Sequence, residues 1–245
     1  METEFLYGIN TAEEVLSAKR RRIVRLILSN REKGPRINNI VSMAREMGIR
    51  PEFADPRKMD KIAAGGNHQG VIMEAEPPKK MTLEQALERI SDSKRTVWAA
   101  LDGITDPMNL GAIIRSAACL GVSAILLPER RSASINPAAQ KAASGAIERI
   151  DVVEAGNLNA AIAKLKENGF WVYGLDVKGQ SLPATQFAYP ALIIIGSEGD
   201  GIHQKVKEKC DFILTIPQKG GVQSLNAGNA AAIAFYEAGI KRKAA

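Results

Sequence analysis

Short apolar runs alternate with helical stretches through the chain after residue 95. Runs without polar alternation are typical of strands buried on both faces, and they occur at residues 97–101, 124–127, 170–175, 192–195 and 212–216. Helices are predicted between most of these runs, at residues 110–120, 138–143, 158–167, 204–209 and 230–238. This alternation predicts a parallel sheet covered by helices on both faces.

The amino-terminal part has a different pattern, which predicts a small α/β unit. Strands are expected at residues 23–28 and 70–76, and helices at residues 11–19 and 36–47. Thr11 and Glu14 have the spacing of a capping box for the first helix. Gly48 suits the residue that follows the second helix.

A proline-rich and lysine-rich segment, residues 77–80, separates the two parts. Two prolines cannot continue a strand ladder, and the lysines keep the segment in solvent. A short helix capped by Thr82 with Gln85 is expected to follow. We therefore predict an α/β chain with a small amino-terminal domain at residues 1–76, a linker with a short helix at residues 77–94, and a parallel-sheet domain at residues 95–245.

Composition and charge narrow the class of partner only slightly. The chain has 245 residues, of which 45% are hydrophobic and 24% charged, as in ordinary globular proteins. A net charge of +6 and a pI of about 9.3 favour polyanionic partners, although solubility alone also explains them. Two basic clusters are available for such a partner: residues 19–22 with Arg25, and Arg130 and Arg131 with Lys141.

The common metal and nucleotide motifs are absent from the sequence. Two cysteines and two histidines without a Cys-x-x-Cys pair do not predict a metal site, and they favour a reducing cytoplasm. A Walker-like stretch that begins at Gly174 has Gln180 in place of the phosphate-binding lysine. His203 is expected to be a surface helix residue. No signal peptide or membrane-spanning run is predicted, so we expect no membrane partner.

Three polar, glycine-containing loops follow predicted strands, at residues 102–109, 196–201 and 217–226. Ligands of parallel sheets bind beyond the carboxyl ends of the strands, so these loops form the predicted site. In the first loop, Asn109 suits a helix cap as well as a binding role. Arg115 follows in an otherwise apolar helix, where a buried guanidinium needs either an internal salt bridge or a ligand phosphate.

The second and third loops each have a simple structural interpretation beside a functional one. Glycines at positions 196, 199 and 201 permit positive φ and close backbone approach. They suit an adenosine or sulfonium ligand, or only a tight turn between strand and helix. Ser224 and Asn226 flank Leu225, and helix capping explains them as well as catalysis does.

Taken together and in this order, the loops resemble a known family. The segments NLGAIIRSA, GSEGDGI and IPQKGGVQSLN are similar to the three motifs of SpoU-type RNA methyltransferases. YGIN at residues 7–10 and NHQGV at residues 67–71 are similar to the family's ribosomal-protein-like, substrate-binding amino-terminal domain, although His68 also suits a structural turn. The resemblance covers essentially the whole chain.

The resemblance implies a fold, a cofactor and partners. It implies a carboxyl-terminal domain with a deep trefoil knot, and S-adenosylmethionine as methyl donor. The substrate would be a ribose 2′-hydroxyl in structured RNA, most directly a guanosine of 23S rRNA or of a large-subunit precursor. It also implies a homodimer formed through the carboxyl-terminal domain.

The resemblance further implies which residues form the site. The polar residues expected in catalysis are Asn109, Arg115, Glu198, Ser224 and Asn226. The residues expected to hold the cofactor are Leu192, Gly196, Glu198, Ile216, Pro217, Leu225 and Asn226. No metal is expected, because the methyl group of a sulfonium is already activated.

The chemistry of methyl transfer suggests roles for the polar residues. A ribose hydroxyl is a poor nucleophile, so it needs a proton acceptor or a nearby positive charge. Arg115 stays protonated in proteins and is a poor base, so we expect it to clamp a phosphate and to stabilise the alkoxide. Asn109, Ser224 and Asn226 would orient the ribose and the loops. Glu198 would orient the substrate or pair with a cation.

Two alternative functions stay open at this level. One is methylation of tRNA, or of rRNA in antibiotic resistance, and the other is a non-catalytic RNA-binding protein of ribosome assembly. The five polar positions are intact, which argues against the second. The chain departs from the family beside the third loop, with Gln218 for the usual Met and Ala227-Gly228-Asn229 for the usual Val-Ser-Val.

Overall fold

The computed structural model describes residues 2–220 and 224–241, which contain two β-sheets with helices on both faces. The elements of the first sheet and its helices are β1 (Glu4–Tyr7), α1 (Ile9–Ala18), β2 (Ile23–Ser29), α2 (Pro35–Glu46), β3 (Glu52–Ala54), α3 (Pro56–Ala63) and β4 (Val71–Ala75). The strand order is β1-β4-β2-β3, in which β4 is antiparallel to both neighbours and β3 is parallel to β2. This arrangement is the small α/β unit that the sequence predicts.

The second sheet has seven strands and carries most of the helices. Its elements are β5 (Lys80–Met81), α4 (Leu83–Glu88), β6 (Val97–Asp102), α5 (Pro107–Cys119), β7 (Ala124–Pro128), α6 (Pro137–Ala143), β8 (Asp151–Gly156), α7 (Leu158–Glu167), β9 (Trp171–Ser181), β10 (Ala191–Gly196), α8 (Gln204–Lys207), β11 (Phe212–Thr215) and α9 (Ala227–Phe235). The order is β11-β9-β10-β6-β7-β8-β5, and every pair in it is parallel. The predicted parallel sheet is therefore confirmed.

Alternation along the central strands divides the core into two layers. In β6, Val97, Ala99 and Leu101 face one hydrophobic cluster, whereas Trp98 and Ala100 face the other. Successive side chains of a strand point to opposite faces, so a continuous apolar run is what this two-sided burial requires. Helices α5, α6 and α9 cover the first face, and α4, α7 and α8 cover the second. No helix in the described ranges is long and apolar enough to cross a membrane.

The predicted capping box at Thr11 and Glu14 is wrong. Helix α1 begins at Ile9, and Gly8, with φ of 97°, occupies the N-cap position without a side-chain cap. The amide of Ile9 donates instead to the side-chain oxygen of Gln69, at 3.2 Å. Thr11 is buried inside the helix. The capping box predicted at Thr82 is confirmed.

Four strands lie outside the predicted set: β1, β3, β5 and β8. Strand β8 contains acidic residues at both Asp151 and Glu154, so its apolar run is too short to stand out. Strand β5 lies in the predicted linker, where Lys80 and Met81 pair with β8 at the edge of the large sheet. The prolines at positions 77 and 78 come before this strand and do not interrupt it. Its two residues are enough to pair with β8 at the edge of the sheet.

A buried polar network joins the two sheets. The guanidinium of Arg21 is 1% exposed and forms ion pairs with Glu148 and, at 2.7 Å, with Glu4. Gln140 donates to the other carboxylate oxygen of Glu4 at 2.6 Å. Arg20 donates to the carbonyl of Ile150 at 3.0 Å. Within the first predicted basic cluster, Arg20 and Arg21 thus serve the contact between domains, and Arg21 is not available to RNA.

Candidate active site

The loop after β10 is closed by its own backbone. Ser197 and Gly201 exchange two hydrogen bonds of 3.1 Å. A β-carbon at position 196 would lie 2.1 Å from the carbonyl carbon of Gly201, and Gly201 itself has φ of +65°. Position 196 therefore requires glycine and position 201 favours it, and the turn aims Glu198 across the carboxyl edge of the sheet.

Three side chains from the three predicted loops meet at this edge. Asn109 donates through Nδ2 to Glu198 Oε1 at 3.0 Å. Asn226 donates through Nδ2 to Asn109 Oδ1 at 2.9 Å, and also to Glu198 Oε1. The amide of Ala227 approaches the same Glu198 oxygen at 3.4 Å. One carboxylate oxygen thus connects β10, α5 and α9.

Two helix caps hold this network in place. Asp106, and not Asn109, is the N-cap of α5, and its carboxylate accepts from the amides of Met108 and Asn109. Asn109 is the third residue of the helix, so the capping interpretation of this residue is wrong. Asn226 caps α9 through Oδ1, which accepts from the amides of Gly228 and Asn229 at 2.9 and 3.3 Å. Asn226 therefore caps a helix and joins the network at the same time.

A cavity of about 160 Å³ lies beside the network. It lies between the ends of β9, β10 and β11 and the start of α9, and it is lined by Leu175, Asp176, Val177, Ile195, Gly196, Ser197, Glu198, Gly199, Asp200, Gly201, Ile216, Gln218, Ser224, Leu225, Ala227 and Ala230. Three of these residues are carboxylates, and none of the described lining residues is cationic. The cavity therefore suits a ligand that has an apolar part and positive charge.

Comparisons with known proteins identify the family. The sequence model of the SpoU rRNA methylase family matches residues 96–236, and that of the RNA 2′-O ribose methyltransferase substrate-binding domain matches residues 5–81. The 23S rRNA (guanosine-2′-O-)-methyltransferase RlmB of Pseudomonas putida is 33% identical over 99% of this chain and 98% of its own length. This chain belongs to the SpoU rRNA methylase family. It is thus an RNA 2′-O-methyltransferase that depends on S-adenosylmethionine.

Further SpoU and TrmH relatives agree with this assignment. The putative TrmH family tRNA/rRNA methyltransferase YacO of Bacillus subtilis is 32% identical over 98% of this chain and 96% of its own length. The AdoMet complex of the SpoU methyltransferase AviRb from Streptomyces viridochromogenes has a TM-score of 0.78 at 21% identity, covering 98% of this chain and 90% of that chain. A TrmH-family structure from Porphyromonas gingivalis has a TM-score of 0.75 at 25% identity, covering 96% and 88%.

The cavity lining fits the cofactor of the SpoU family. S-adenosylmethionine has an apolar adenine, a sulfonium and an ammonium group, and the lining offers aliphatic side chains such as Ile195, Ile216 and Leu225 beside carboxylates. The backbone of the glycine-rich loop provides further polar groups without bulk. Among the described residues, no group of three or more His, Cys, Asp and Glu could hold a metal ion.

Most residues predicted for the cofactor line this cavity. Gly196, Glu198, Ile216 and Leu225 do so, and Asn226 is bonded to Glu198 at its border. Two predicted residues lie elsewhere: Leu192 is fully buried in the opposite core layer, and Pro217 is exposed. Ser224 lines the cavity and is exposed, whereas residues 221–223 of the third loop lie outside the described residues.

Arg115 does not join the network within one chain. Its guanidinium donates to Ser144 Oγ at 3.3 Å, and its side chain is exposed. The expectation of a buried guanidinium is wrong, because Arg115 lies on the face of α5 that is turned away from the core. The apolar neighbours Ile113 and Ile114 face the core, but Arg115 does not.

Several residues of the site were not predicted. Asp176 lines the cavity directly after the apolar part of β9, and Lys207 donates to it at 2.8 Å. Burial opposes ionisation of Asp176, but the hydrogen bond and charge of Lys207, together with hydrogen bonds from the backbone of Val177 and Lys178, outweigh burial and hold the pKa of Asp176 below its usual value. The sequence signal that locates Asp176 is a polar residue directly after an apolar run.

His203, expected on a surface helix, lies just before α8 with its Nδ1 2.9 Å from Asp102 Oδ1.

The departures from the usual SpoU sequence lie at the cavity and behind it. Gln218 lines the cavity. Gly228 lies in the first turn of α9, where a β-carbon would be 3.3 Å from that of Ala112 on α5. The absence of a side chain here lets α9 pack closely against α5, so Gly228 has a packing role that offsets its low helix propensity.

Proposed function

We propose that this protein transfers a methyl group from S-adenosylmethionine to the ribose 2′-hydroxyl of a guanosine in 23S rRNA. The observation that carries the proposal is the Asn109–Glu198–Asn226 network beside an acidic and apolar cavity. The RlmB relative from Pseudomonas putida, whose name states this reaction, matches nearly the full length of the chain. The match of residues 5–81 of this chain to an RNA 2′-O ribose methyltransferase substrate-binding domain supports an RNA substrate. Such a reaction belongs in the cytoplasm, where rRNA is made.

The chain's own residues would bind and orient the reactants. The bound cofactor supplies an activated methyl group, which needs no further activation by the protein. Glu198 fixes the two carboxamides, so that Asn109 and the Asn226 loop present polar groups to a ribose at the cavity mouth. Catalysis by such an arrangement comes mainly from in-line positioning. Ser224, which lines the same cavity, would contribute a further hydrogen bond.

Arg115 would act on the site of a second copy of the chain. It lies on the solvent side of α5 and forms no ion pair within the described ranges, so it is free to bind a phosphate of RNA. A symmetric dimer places the same surface of both copies together, so an arginine remote from its own cavity can complete the partner's. We therefore propose a homodimer formed through the carboxyl-terminal domain.

Exposed apolar side chains of the carboxyl-terminal part of the chain support this dimer. The side chains of Ile233, Tyr236 and Ile240 are 38%, 44% and 52% exposed near the end of the chain, at helical spacing. Met108, on α5, is 58% exposed. Exposed apolar side chains that form a patch mark a surface that is covered in the assembled protein.

The trefoil knot that the family resemblance implies stays a prediction. The division into residues 1–76, 77–94 and 95–245 also stays a prediction, and the presence of two separate sheets supports it.

Mapping of ribose methylation tests the proposed reaction. Total RNA from cells with and without the gene is digested and examined by mass spectrometry. We expect one 2′-O-methylguanosine in 23S rRNA to disappear with the gene and to return with the wild-type gene, but not with a Glu198→Ala variant. Loss of a methyl group from tRNA instead would show the alternative substrate. An unchanged RNA methylation pattern would contradict the proposal.

Mixed dimers test the role of Arg115. Arg115→Ala and Glu198→Ala homodimers should each be inactive while Arg115→Ala still binds S-adenosylmethionine. When the two variants are mixed and allowed to exchange subunits, one site of each mixed dimer has an intact Glu198 and the partner's intact Arg115. Random mixing would then restore about a quarter of wild-type activity. Absence of any restored activity in verified mixed dimers would place Arg115 in its own chain's site or outside the reaction.

A further inference from the structure

A second cavity lies at the carboxyl edge of the large sheet, beyond β6, β7 and β8. Its volume is about 640 Å³, which is in the range of ligand sites in proteins. It is lined by Asp102, Pro128, Glu129, Arg130, Arg131, Gly156, Asn157, Leu158, Asn159, His203, Gln204, Lys205 and Val206. None of these residues lines the proposed cofactor cavity.

Three cations of this cavity lack a carboxylate partner. Arg130, Arg131 and Lys205 are exposed, and none of them forms an ion pair within residues 2–220 and 224–241. Other lysines nearby are paired, as Lys207 is with Asp176 and Lys166 with Asp211. Unpaired cations that face one cavity create a positive potential that attracts anions.

Of the two carboxylates in the lining, one is already engaged in hydrogen bonds within the protein. Asp102 is buried, and its two oxygens accept from the backbone amide of His203 at 2.8 Å and face the imidazole Nδ1 at 2.9 Å. The imidazole Nε2 lies 3.4 Å from Arg131 NH1. Asp102 thus fixes His203, and His203 contacts the guanidinium of Arg131. Glu129 is the second carboxylate, and it is exposed.

The second cavity adjoins the proposed active site. A β-carbon at Gly103 would lie 3.2 Å from His203 Cε1 and 3.6 Å from Ser197 Cβ. Ser197 lines the cofactor cavity and His203 lines the second one. Gly103, in the loop after β6, thus lies beside one residue of each cavity. The second cavity is therefore within reach of the nucleotides next to a ribose that lies at Glu198.

We propose that this second cavity binds the phosphodiester backbone of the nucleotides next to the methylated one. The inference rests on the proposed function, because it assumes an RNA substrate at the Glu198 site. Arg130, Arg131 and Lys205 contact phosphates, and the Asp102–His203 pair holds the Arg131 side chain in position. Contacts of this kind fix the register of RNA without reading its sequence. They contribute affinity for the RNA, whereas the reaction itself depends on the adjacent loop.

A double variant with a matched control tests this cavity. Arg131→Ala with Lys205→Ala removes two charges at the carboxyl edge of the sheet. Lys94→Ala with Arg95→Ala removes two exposed charges just before β6, at the opposite edge. Binding of unmodified 23S rRNA transcript is measured at a series of KCl concentrations, and binding of S-adenosylmethionine by calorimetry. Single-turnover methyl transfer is measured at limiting and saturating RNA.

The cavity variant should bind the transcript about tenfold more weakly, with a salt slope reduced by roughly 1.4, which is about 0.7 for each lost contact with a single strand. Cofactor affinity and the rate at saturating RNA should stay at the wild-type values, and the control should match wild type. Glu129→Gln should strengthen RNA binding, because it removes the exposed negative charge. A cavity variant that matches the control in affinity and slope overturns the inference. Failure of the wild-type protein to bind or methylate the transcript instead overturns the proposed function.

Discussion

At the scale of single residues, Asn226 shows how one side chain serves both stability and the site. Its oxygen caps α9, and its nitrogen donates to Asn109 and Glu198. From sequence, the capping and catalytic interpretations of Asn226 were alternatives, but the two ends of a carboxamide satisfy both. The side-chain oxygen of asparagine is a good acceptor for a helix cap, and its NH2 group is a donor. A serine could also cap α9, but it has no NH2 group to donate to Asn109 and Glu198.

Substitutions at Asn226 separate the two roles. Asn226→Ser keeps a cap acceptor, so the free energy of unfolding should change little, whereas Asn226→Ala should lose about 1 kcal/mol with the cap. Both variants lose the donor to Glu198, and both should reduce methyl transfer by about tenfold or more. Urea unfolding and initial rates on rRNA measure the two effects. Wild-type activity of Asn226→Ser would show that the network does not position the reactants.

The remaining site residues show what sequence could and could not supply. Asn109, Glu198 and Asn226 were implied by resemblance to a family, and the structure brings them into contact. The expectation that the Arg115 guanidinium is buried was wrong, because a run of apolar residues does not by itself distinguish the buried and exposed faces of a helix. Asp176 was missed for a different reason, since its importance depends on Lys207, which is distant in sequence.

At the scale of secondary structure, the long elements were predictable and the short edge strands were not. The buried strands β6 and β10 stand out as apolar runs because both of their faces are covered. Strand β5 consists of two residues, and its position is fixed by pairing with β8 and not by its own pattern. Tertiary contacts therefore decide the edges of the sheet, whereas local pattern decides its centre.

The contact between α5 and α6 depends on a glycine and gives a stability prediction. A β-carbon at Gly111 would lie 2.3 Å from the carbonyl oxygen of Ala139 and 2.5 Å from Ala142 Cβ. Gly111→Ala should therefore destabilise the protein by about 1–3 kcal/mol through overpacking, despite the better helix propensity of alanine. Gly199→Ala is the control, because a β-carbon there has no atom within 4 Å. Equal midpoints of urea unfolding for the two variants would argue against close packing at Gly111.

At the scale of the whole molecule, the buried network of Arg21 fixes how the two sheets meet. Arg21 comes from the turn before β2, whereas Glu148 and Gln140 lie in the segment that packs against α5. Sequence could not predict this contact, because a basic run suggests a solvated surface and nothing local marks one of its arginines as buried. The network relates the substrate-binding domain to the helix that holds Asn109 and Arg115.

Removal of one partner of this network should be costly. Arg21→Met leaves Glu148, whose side chain is 2% exposed, as an unpaired buried carboxylate, so we expect a loss of about 3–5 kcal/mol in the free energy of unfolding. The double variant Arg21→Met with Glu148→Leu replaces the ion pair by apolar groups and should recover part of this loss. Urea unfolding of the wild type, the two single variants Arg21→Met and Glu148→Leu, and the double variant completes the cycle. Arg95→Ala, which removes an arginine that is 81% exposed, is the control and should change stability little.

Activity measurements on the same variants connect the network to function. If the network holds the substrate-binding domain in register with the site, Arg21→Met should raise the KM for rRNA at a temperature where it remains folded, with cofactor affinity unchanged. The apolar double variant restores stability without the fixed directions of the ion pairs, so its KM for rRNA should stay above the wild-type value. A double variant that recovers both stability and KM would limit the network to a role in folding. A variant pair with additive effects on stability would instead show that Arg21 and Glu148 do not interact directly.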